Sequence, residues 1–244
     1  MNTAKNKVKK QLVLAIAVAL ATPSIALAEG FYATAQLGVS EQASDSEPTG
    51  NNIATDSDFP AKFDSGDSSV AGIGIGYKFS EKFRIEGRLT HRDGDFNDKN
   101  IGTGARAGEE YILNGNIEST ALTVEGFYDF PNSTLFTPYI KAGLGVSDNS
   151  YSARLGGAGV AAFDAFDGAA DGYYDAYADR DSTELSWNVG IGGNYKLSKR
   201  TSIYGEYQYA SFGDVKTGSD SFTDGFKIDD VSAHEFVAGV RIDF

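Results

Sequence analysis

Charged side chains recur at every second position of several apolar stretches, and this spacing is the feature of the sequence most able to support chemistry. In FRIEGRL, Arg84, Glu86 and Arg88 alternate with apolar residues and glycine. Successive side chains of a β-strand point to opposite faces, so all three lie on one face of a predicted strand. Charges enclosed together must be paired or solvated. The pattern predicts an internal charge network made of Arg84, Glu86, Arg88, Glu125, Lys141, Glu206, Glu235 and Arg241.

Two histidines, His91 and His234, offer little support for catalysis. Neither has the serine and aspartate setting that is typical of a catalytic triad. We expect His91 to form a hydrogen bond with Asp93 at the base of a loop. The sequence therefore predicts no catalytic residue. The alternative is a lipid-modifying or proteolytic enzyme, which would need one of these histidines clustered with Ser or Asp at the rim of the fold.

No pattern predicts a metal site or a cofactor. The stretch DGDFND, residues 93–98, resembles the start of a calcium loop but lacks the glycine and the distal glutamate of that motif. The chain has no cysteine, so disulfides and thiolate metal ligands are excluded. A run of aspartates at spacings of three or four could attract divalent cations, although we interpret it as a solvated, repulsive loop. These residues are Asp164, Asp167, Asp171, Asp175 and Asp179.

The elements that must position the charges are predicted to be strands. Period-two alternation dominates after Ala28, and helical periodicity is hard to find there. Most of the alternating stretches have nine to eleven residues, the length at which a tilted strand crosses a bilayer. The eight stretches are residues 31–39, 71–79, 83–91, 120–130, 137–146, 183–197, 201–209 and 232–244.

The connections between these stretches alternate in length. Long structureless loops are unusual in compact soluble domains, but here they recur at every other connection and so collect at one end. This asymmetry predicts an all-β fold, an eight-stranded antiparallel transmembrane β-barrel with short periplasmic turns and four long extracellular loops. The long connections are residues 40–70, 92–119, 147–182 and 210–231, and the short ones are residues 80–82, 131–136 and 198–200.

The two faces of the predicted strands differ in the way a membrane barrel requires. One face has apolar residues and no charge, and the other has glycines with six basic and six acidic residues. An unpaired strand edge is too costly in hydrocarbon, so the sheet is expected to close. The alternative, a soluble barrel with an apolar interior, would leave these charges and glycines as ordinary surface. The predicted interfacial girdle is Tyr77, Phe79, Tyr128, Trp187, Tyr195 and Tyr207.

The first 28 residues have the three-part pattern of a secretory signal peptide. Four lysines precede an apolar run, and Ala26-Leu27-Ala28 provides a small-residue cleavage site. The alternative, a membrane anchor, would need a longer apolar core to span about 30 Å of hydrocarbon. We predict cleavage after Ala28 and a barrel domain at 29–244. Removing four of the 21 Lys and Arg leaves 17 against 34 Asp and Glu, a charge of −17 that argues against nucleic-acid binding.

The segments GIGIGYKF, PYIKAGLGV, NVGIGGNYKLS and EFVAGVRIDF resemble the OmpA-like and opacity-type family of small outer-membrane barrels. The resemblance implies the outer membrane of a Gram-negative bacterium, where lipid, lipopolysaccharide and the outer-membrane assembly machinery are the expected partners. It also implies that Phe244 is part of the assembly signal. We predict a monomeric, non-enzymatic, adhesin-like scaffold whose acidic loops meet an extracellular ligand. The alternative function is a porin-like channel for ions or small solutes.

Overall fold

The computed structural model does not describe every residue of the chain. The predicted signal peptide, residues 1–28, lies outside the described residues, as do Asp164, Asp167 and Asp171. In the part that is described, no helix has the length and apolar character needed to span a membrane. The described residues are 30–49, 58–158, 173–218 and 225–244, with the backbone alone for 173–176 and for 178–179.

The described residues form twelve strands and a short 3-10 helix at Gly104–Arg106. The strands are β1 Phe31–Gln42, β2 Asp45–Pro48, β3 Phe63–Asp64, β4 Asp67–Lys78, β5 Phe83–Ile101, β6 Glu110–Asp129, β7 Phe136–Gly156, β8 Tyr173–Lys196, β9 Thr201–Ser211, β10 Val215–Lys216, β11 Phe226–Ile228 and β12 Ser232–Asp243.

Eight of these strands close into a single antiparallel barrel. Their order around the barrel is β1-β12-β9-β8-β7-β6-β5-β4. The seam between β1 and β12 runs from the pair Tyr32–Asp243 to the pair Gln42–Ala233. Each predicted strand corresponds to one barrel strand, so the eight-stranded antiparallel barrel is confirmed. The short turns at 79–82, 130–135 and 197–200 mark what we call the short-turn end.

The barrel strands alternate between an apolar outer face and a polar lumen, as predicted. Leu37 and Leu185 on the outer face are 65% and 68% exposed, whereas Glu86 and Glu235 in the lumen are fully buried. Inward glycines make room for large neighbours. At Gly76, for example, a Cβ atom would overlap the ring of Tyr32.

The predicted structureless connections at 92–119 and 147–182 are wrong over much of their length. Strands β5 to β8 contain 19 to 24 residues each, and β5 and β6 pair from Phe83–Tyr128 to Ile101–Glu110. The alternation continues beyond the apolar band, but its polarity reverses. Outward positions become polar, as at Asp95 and Asn116, while inward positions become apolar, as at Phe96. A strand prediction that relies on an apolar outer face therefore ends at the edge of the apolar band.

The strand extensions and two loops build a second, apolar compartment, which we call the head. It consists of β5 to β8 beyond the ends of β4 and β9, together with a small sheet ordered β10-β11-β2-β3. The ring of Phe226 lies 6.0 Å from that of Phe63 and 5.5 Å from that of Tyr177. The extended strands of the barrel and the small sheet therefore share one core. Its large buried residues include Phe59, Phe63, Phe96, Tyr111, Leu113, Ile117, Tyr151, Leu155, Tyr177, Phe226 and Ile228.

Candidate functional site in the barrel lumen

The lumen is occupied by layers of paired charges, beginning at the short-turn end. There the Lys78 Nζ lies 2.6 Å from Asp243 Oδ1. The Arg241 Nε lies 3.4 Å from the same oxygen. Asp243 thus accepts interactions from two cations at this mouth of the barrel. The sequence predicts Arg241 as part of the network, but the structure places it in this separate layer.

The next layer is organised around Arg84. Its Nε lies 3.0 Å from Asp129 Oδ2, and its guanidinium carbon lies 3.6 Å from the centre of the Phe127 ring. The rings of Tyr139 and Tyr32 lie 4.8 Å and 5.7 Å from the same carbon. A guanidinium stacked on aromatic faces is stabilised by the ring quadrupoles as well as by its carboxylate. This layer therefore combines a charge pair with an aromatic packing layer across the lumen.

The central layer joins two cations to three carboxylates. Arg88 lies 2.9 Å from Glu86 and 3.2 Å from each of Glu125 and Glu206. Lys141 bridges two of the same carboxylates, at 3.1 Å from Glu125 and 2.7 Å from Glu206. All five side chains are at most 3% exposed. Arg88 is the hub, because it alone contacts all three carboxylates.

Neutral donors add a hydrogen bond to each of these carboxylates. The Thr34 hydroxyl donates to Glu86 at 2.8 Å, and the Tyr139 hydroxyl donates to Glu206 at 3.0 Å. The Asn188 amide donates to Glu125 at 3.1 Å. A buried ion pair is favourable only when further hydrogen bonds reach its remaining lone pairs. Every carboxylate of the central layer has such a bond, and Glu86 Oε2 is the one buried carboxylate oxygen of this layer without a hydrogen-bond partner.

The uppermost polar layer is a bidentate pair between Arg92 and Glu235. The Arg92 Nη2 donates to Glu235 Oε2 at 3.0 Å, and its Nε donates to the other oxygen. Gln208 also donates to Glu235. The Arg92 guanidinium lies 4.2 Å from the ring centre of Phe212, a residue of the head core. This pair marks the boundary between the polar lumen and the apolar head.

The structure brings six of the eight predicted network residues into contact, through the Arg84 and Arg88 layers. The Arg84 Nη1 lies 3.9 Å from Glu86 Oε2 and links those two layers. Glu235 and Arg241 lie in separate layers, one on each side. The prediction missed Arg92, because that position was assigned to a loop. The alternation of Arg84, Glu86 and Arg88 continues to Arg92 in the sequence, and extending the strand would have found it.

The predicted girdle residues lie on the outer wall in two groups. Tyr77, Phe79, Tyr128 and Tyr195 lie towards the short-turn end, and Trp187 and Tyr207 lie towards the head. Neighbouring rings pack together, with centroids 5.1 Å apart for Tyr77 and Phe79. The predicted assembly residue, Phe244, donates its backbone N–H to Phe31 O at 3.0 Å, beside the first of these groups.

Both histidines lie on the outer wall, away from the lumen. The expected bond between His91 and Asp93 does not form; His91 Nδ1 lies 2.9 Å from the Thr120 hydroxyl. His234 Nδ1 lies 2.7 Å from the Tyr207 hydroxyl. Among the residues that the structure describes, no three His, Asp or Glu side chains are placed to hold a metal ion. In the head, burial raises the pKa of the Tyr151 hydroxyl, which is bonded to Ser46 at 2.6 Å.

The arrangement of the lumen favours closure over transport. An ion that crossed it would have to separate the Arg92–Glu235 pair and the Arg88 layer, and would then meet the apolar core of the head. Conduction requires sites that an ion can both enter and leave. Charges that are already paired and buried provide few sites that an ion could enter and few that it could leave.

Comparisons with known proteins agree with this architecture. A family model described as an outer membrane protein beta-barrel domain matches residues 12–244. Outer membrane protein PagN of Salmonella typhimurium is 28% identical over 160 residues, which is 62% of this chain and 60% of that protein. The aligned part of the chain thus spans less than two thirds of this curated relative.

Two solved structures are similar to this chain. The outer membrane protein OprG from Pseudomonas aeruginosa has a TM-score of 0.52 and 19% identity, with 88% of this chain and 96% of that chain covered. Neisserial surface protein A has a TM-score of 0.48 and 18% identity, with 88% and 98% covered. The likeness to OprG supports the fold alone.

Proposed function

This chain belongs to the outer membrane protein beta-barrel domain family, and on that premise we propose that it is a closed membrane anchor that holds a folded, acidic head at the cell surface. It is a β-barrel of the Gram-negative outer membrane. Outer-membrane barrels have their short turns in the periplasm, so the head is extracellular. The proposed partners are membrane lipid, lipopolysaccharide, the assembly machinery and a surface ligand.

One observation carries the proposal: the lumen is filled in series by ion pairs and by an apolar core. Eight-stranded barrels have interiors that side chains can fill. Here the fully buried Lys141 and Glu206 occupy the middle, and Phe226 and Ile228 occupy the head end. The competing function is a channel for ions or small solutes. A channel would require both the ion-pair layers and the apolar core to open.

Conductance in planar lipid bilayers tests the closed anchor. We expect no steady current above that of a protein-free membrane, when a porin is reconstituted in parallel as the conducting control. A stable, reproducible open level for the wild type would replace the anchor with the channel.

The outer surface of the head suggests what the anchor displays. The predicted inward set has equal numbers of basic and acidic residues, so the excess negative charge lies outside the lumen. Directly above the apolar band, outward positions include Asp93, Glu118, Asp148 and Asp181 in neighbouring strands. A concentrated negative field steers association with positively charged partners. We therefore assign the head a binding role towards cationic surfaces.

Adhesion of cells to a polylysine-coated surface tests this role. Cells that display the variant Asp148→Asn/Asp181→Asn should bind several-fold less well than the wild type at low salt, and the difference should shrink as salt screens it. The matched control is Ser150→Asn/Ser152→Asn, at outward positions of β7, the strand that contains Asp148, and it should bind like the wild type. Equal binding by both variants would show that these acidic residues do not contribute to binding of a cationic surface.

A further inference from the structure

The outer wall of the barrel contains a groove that crosses five strands. Its floor is one registered row of small or compact residues, in which Ala238 pairs with Gly205, Gly205 with Gly193, and Gly193 with Pro138. Leu37 of β1 pairs with Ala238 and ends the row. The groove has a volume of about 860 Å³.

Large side chains form the walls of this groove. The registered row on the head side is Val39, Phe236, Tyr207, Ile191 and Ile140. On the short-turn side, Ile203 and Tyr195 occupy the next outward row. The ring of Phe136 covers Gly193, where a Cβ atom would overlap it, so it closes the floor at that strand. The centre of the floor is open, because a Cβ at Gly205 would meet no atom within 4 Å.

The position of the groove identifies an apolar rod as its occupant. It lies on the hydrocarbon-facing wall of an outer-membrane barrel, where acyl chains are the surrounding solvent. A second copy of the chain fits less well, because a symmetric dimer needs a self-complementary surface. Two identical concave grooves cannot fill each other. An extended acyl chain can lie along the floor and contact both walls.

Basic residues lie at the periplasmic side of the same groove. Gly193 and Gly205 belong to the β8–β9 hairpin, whose turn contains Lys199 and Arg200. Both cations are exposed, and within the described part of the chain neither has an ion-pair partner. Arg200 lies five residues from Gly205, a distance of about 17 Å along a strand. Clustered cations at a membrane surface attract anionic head groups.

We infer that this groove binds one acyl chain of an anionic phospholipid whose phosphate is held by Lys199 and Arg200. The apolar floor and walls recognise the chain by packing, which is the main attraction available inside a bilayer. The two cations select the charge of the head group. The site is independent of the proposed role of the head.

Native mass spectrometry of the purified full chain tests the site. The protein is incubated in detergent with dioleoylphosphatidylglycerol or with dioleoylphosphatidylcholine at equal concentration. The wild type should retain one phosphatidylglycerol in preference to phosphatidylcholine. Gly205→Leu fills the floor and should lower this occupancy about tenfold. Gly126→Leu is the matched control, because Gly126 is outward on β6 with its nearest atom at 4.0 Å. It should bind as the wild type does.

A second variant separates the head-group contact from the groove. Lys199→Gln/Arg200→Gln should reduce the preference for phosphatidylglycerol about thirtyfold, since each cation contributes severalfold to binding of an anionic surface. This variant changes only exposed turn residues, so it tests the site even if Gly205→Leu does not fold. The inference is overturned if the wild type retains no lipid, if Gly205→Leu and Gly126→Leu bind equally, or if the wild type is a dimer that Gly205→Leu dissociates.

Discussion

At the scale of single residues, Arg88 has the largest electrostatic role. It is buried and contacts Glu86, Glu125 and Glu206, whereas Lys141 contacts only two of them. The exposed pair of Lys99 and Glu110 in the head has water on one side. Burial therefore separates ion pairs that determine stability from pairs that contribute little.

Replacing Arg88 with methionine should destabilise the barrel by about 3–5 kcal/mol, because it leaves Glu86 buried without its nearest cation and three buried carboxylates with one cation fewer. Urea-induced unfolding in lipid vesicles, followed by the fluorescence of Trp187, measures the change. Lys99→Met is the control and should have little effect. If the two variants unfolded at the same urea concentration, the hub role of Arg88 would be refuted.

The buried Tyr151 should make the head sensitive to alkaline pH. Because burial raises its pKa, the folded head binds this proton more tightly than the unfolded chain does. Its contribution is complete below the unfolded pKa of about 10 and is lost as pH rises above that value. Near-ultraviolet circular dichroism between pH 8 and 11 should show loss of head packing. The loss should be weaker in Tyr151→Phe, while Tyr128→Phe on the outer wall should behave as the wild type does.

At the scale of elements, the sequence predicted the strand segments that cross the membrane and missed the strands of the head beyond it. Period-two alternation located the eight barrel strands, because hydrocarbon demands an apolar outer face such as that of Ile73, Ile75 and Tyr77. The head was missed because its strands reverse that polarity and its small sheet uses strands of two to four residues. The pairing of Arg88 on β5 with carboxylates from β6 and β9 also depends on strand register, which the pattern of a single strand does not specify.

The small sheet of the head should depend on Phe226. Its ring contacts Phe63 and Tyr177, so Phe226→Ala should destabilise this packing by about 3–5 kcal/mol. Limited proteolysis of intact cells should then cleave the β9–β12 connection several times faster, while the barrel remains folded. Ile101→Ala, at the exposed end of β5, is the control and should be cleaved at the wild-type rate. Equal rates for the two variants would show that the head does not rely on this ring.

At the scale of the whole molecule, the proposed closed anchor has two different obstacles to conduction in series. In this proposal the ion-pair layers resist passage because their charges are already paired, and the head core resists it because it is apolar. Removing one obstacle leaves the other in place. We therefore expect conduction only when both obstacles are removed together.

Planar-bilayer recordings of three variants test this arrangement. Glu86→Ser/Arg88→Ser/Arg92→Ser/Glu235→Ser, which removes both partners of a pair in each of two ion-pair layers, should remain closed, and so should Phe63→Ala/Phe226→Ala. The six substitutions combined should produce steady current. Current from the head variant alone would show that the ion pairs are no barrier, and a closed combined variant would place the obstacle elsewhere.

The seam between β1 and β12 has a kinetic consequence. It pairs Tyr32 with Asp243, residues separated by almost the whole chain. The pairs β1–β4 and β9–β12 join strands across a long connection, and the remaining barrel pairs join strands that are consecutive in sequence. Contacts of such long sequence separation carry the largest loop-closure entropy and slow folding. Ring closure should therefore be the last and slowest step of assembly, and until it occurs both edge strands are open to pairing with another chain.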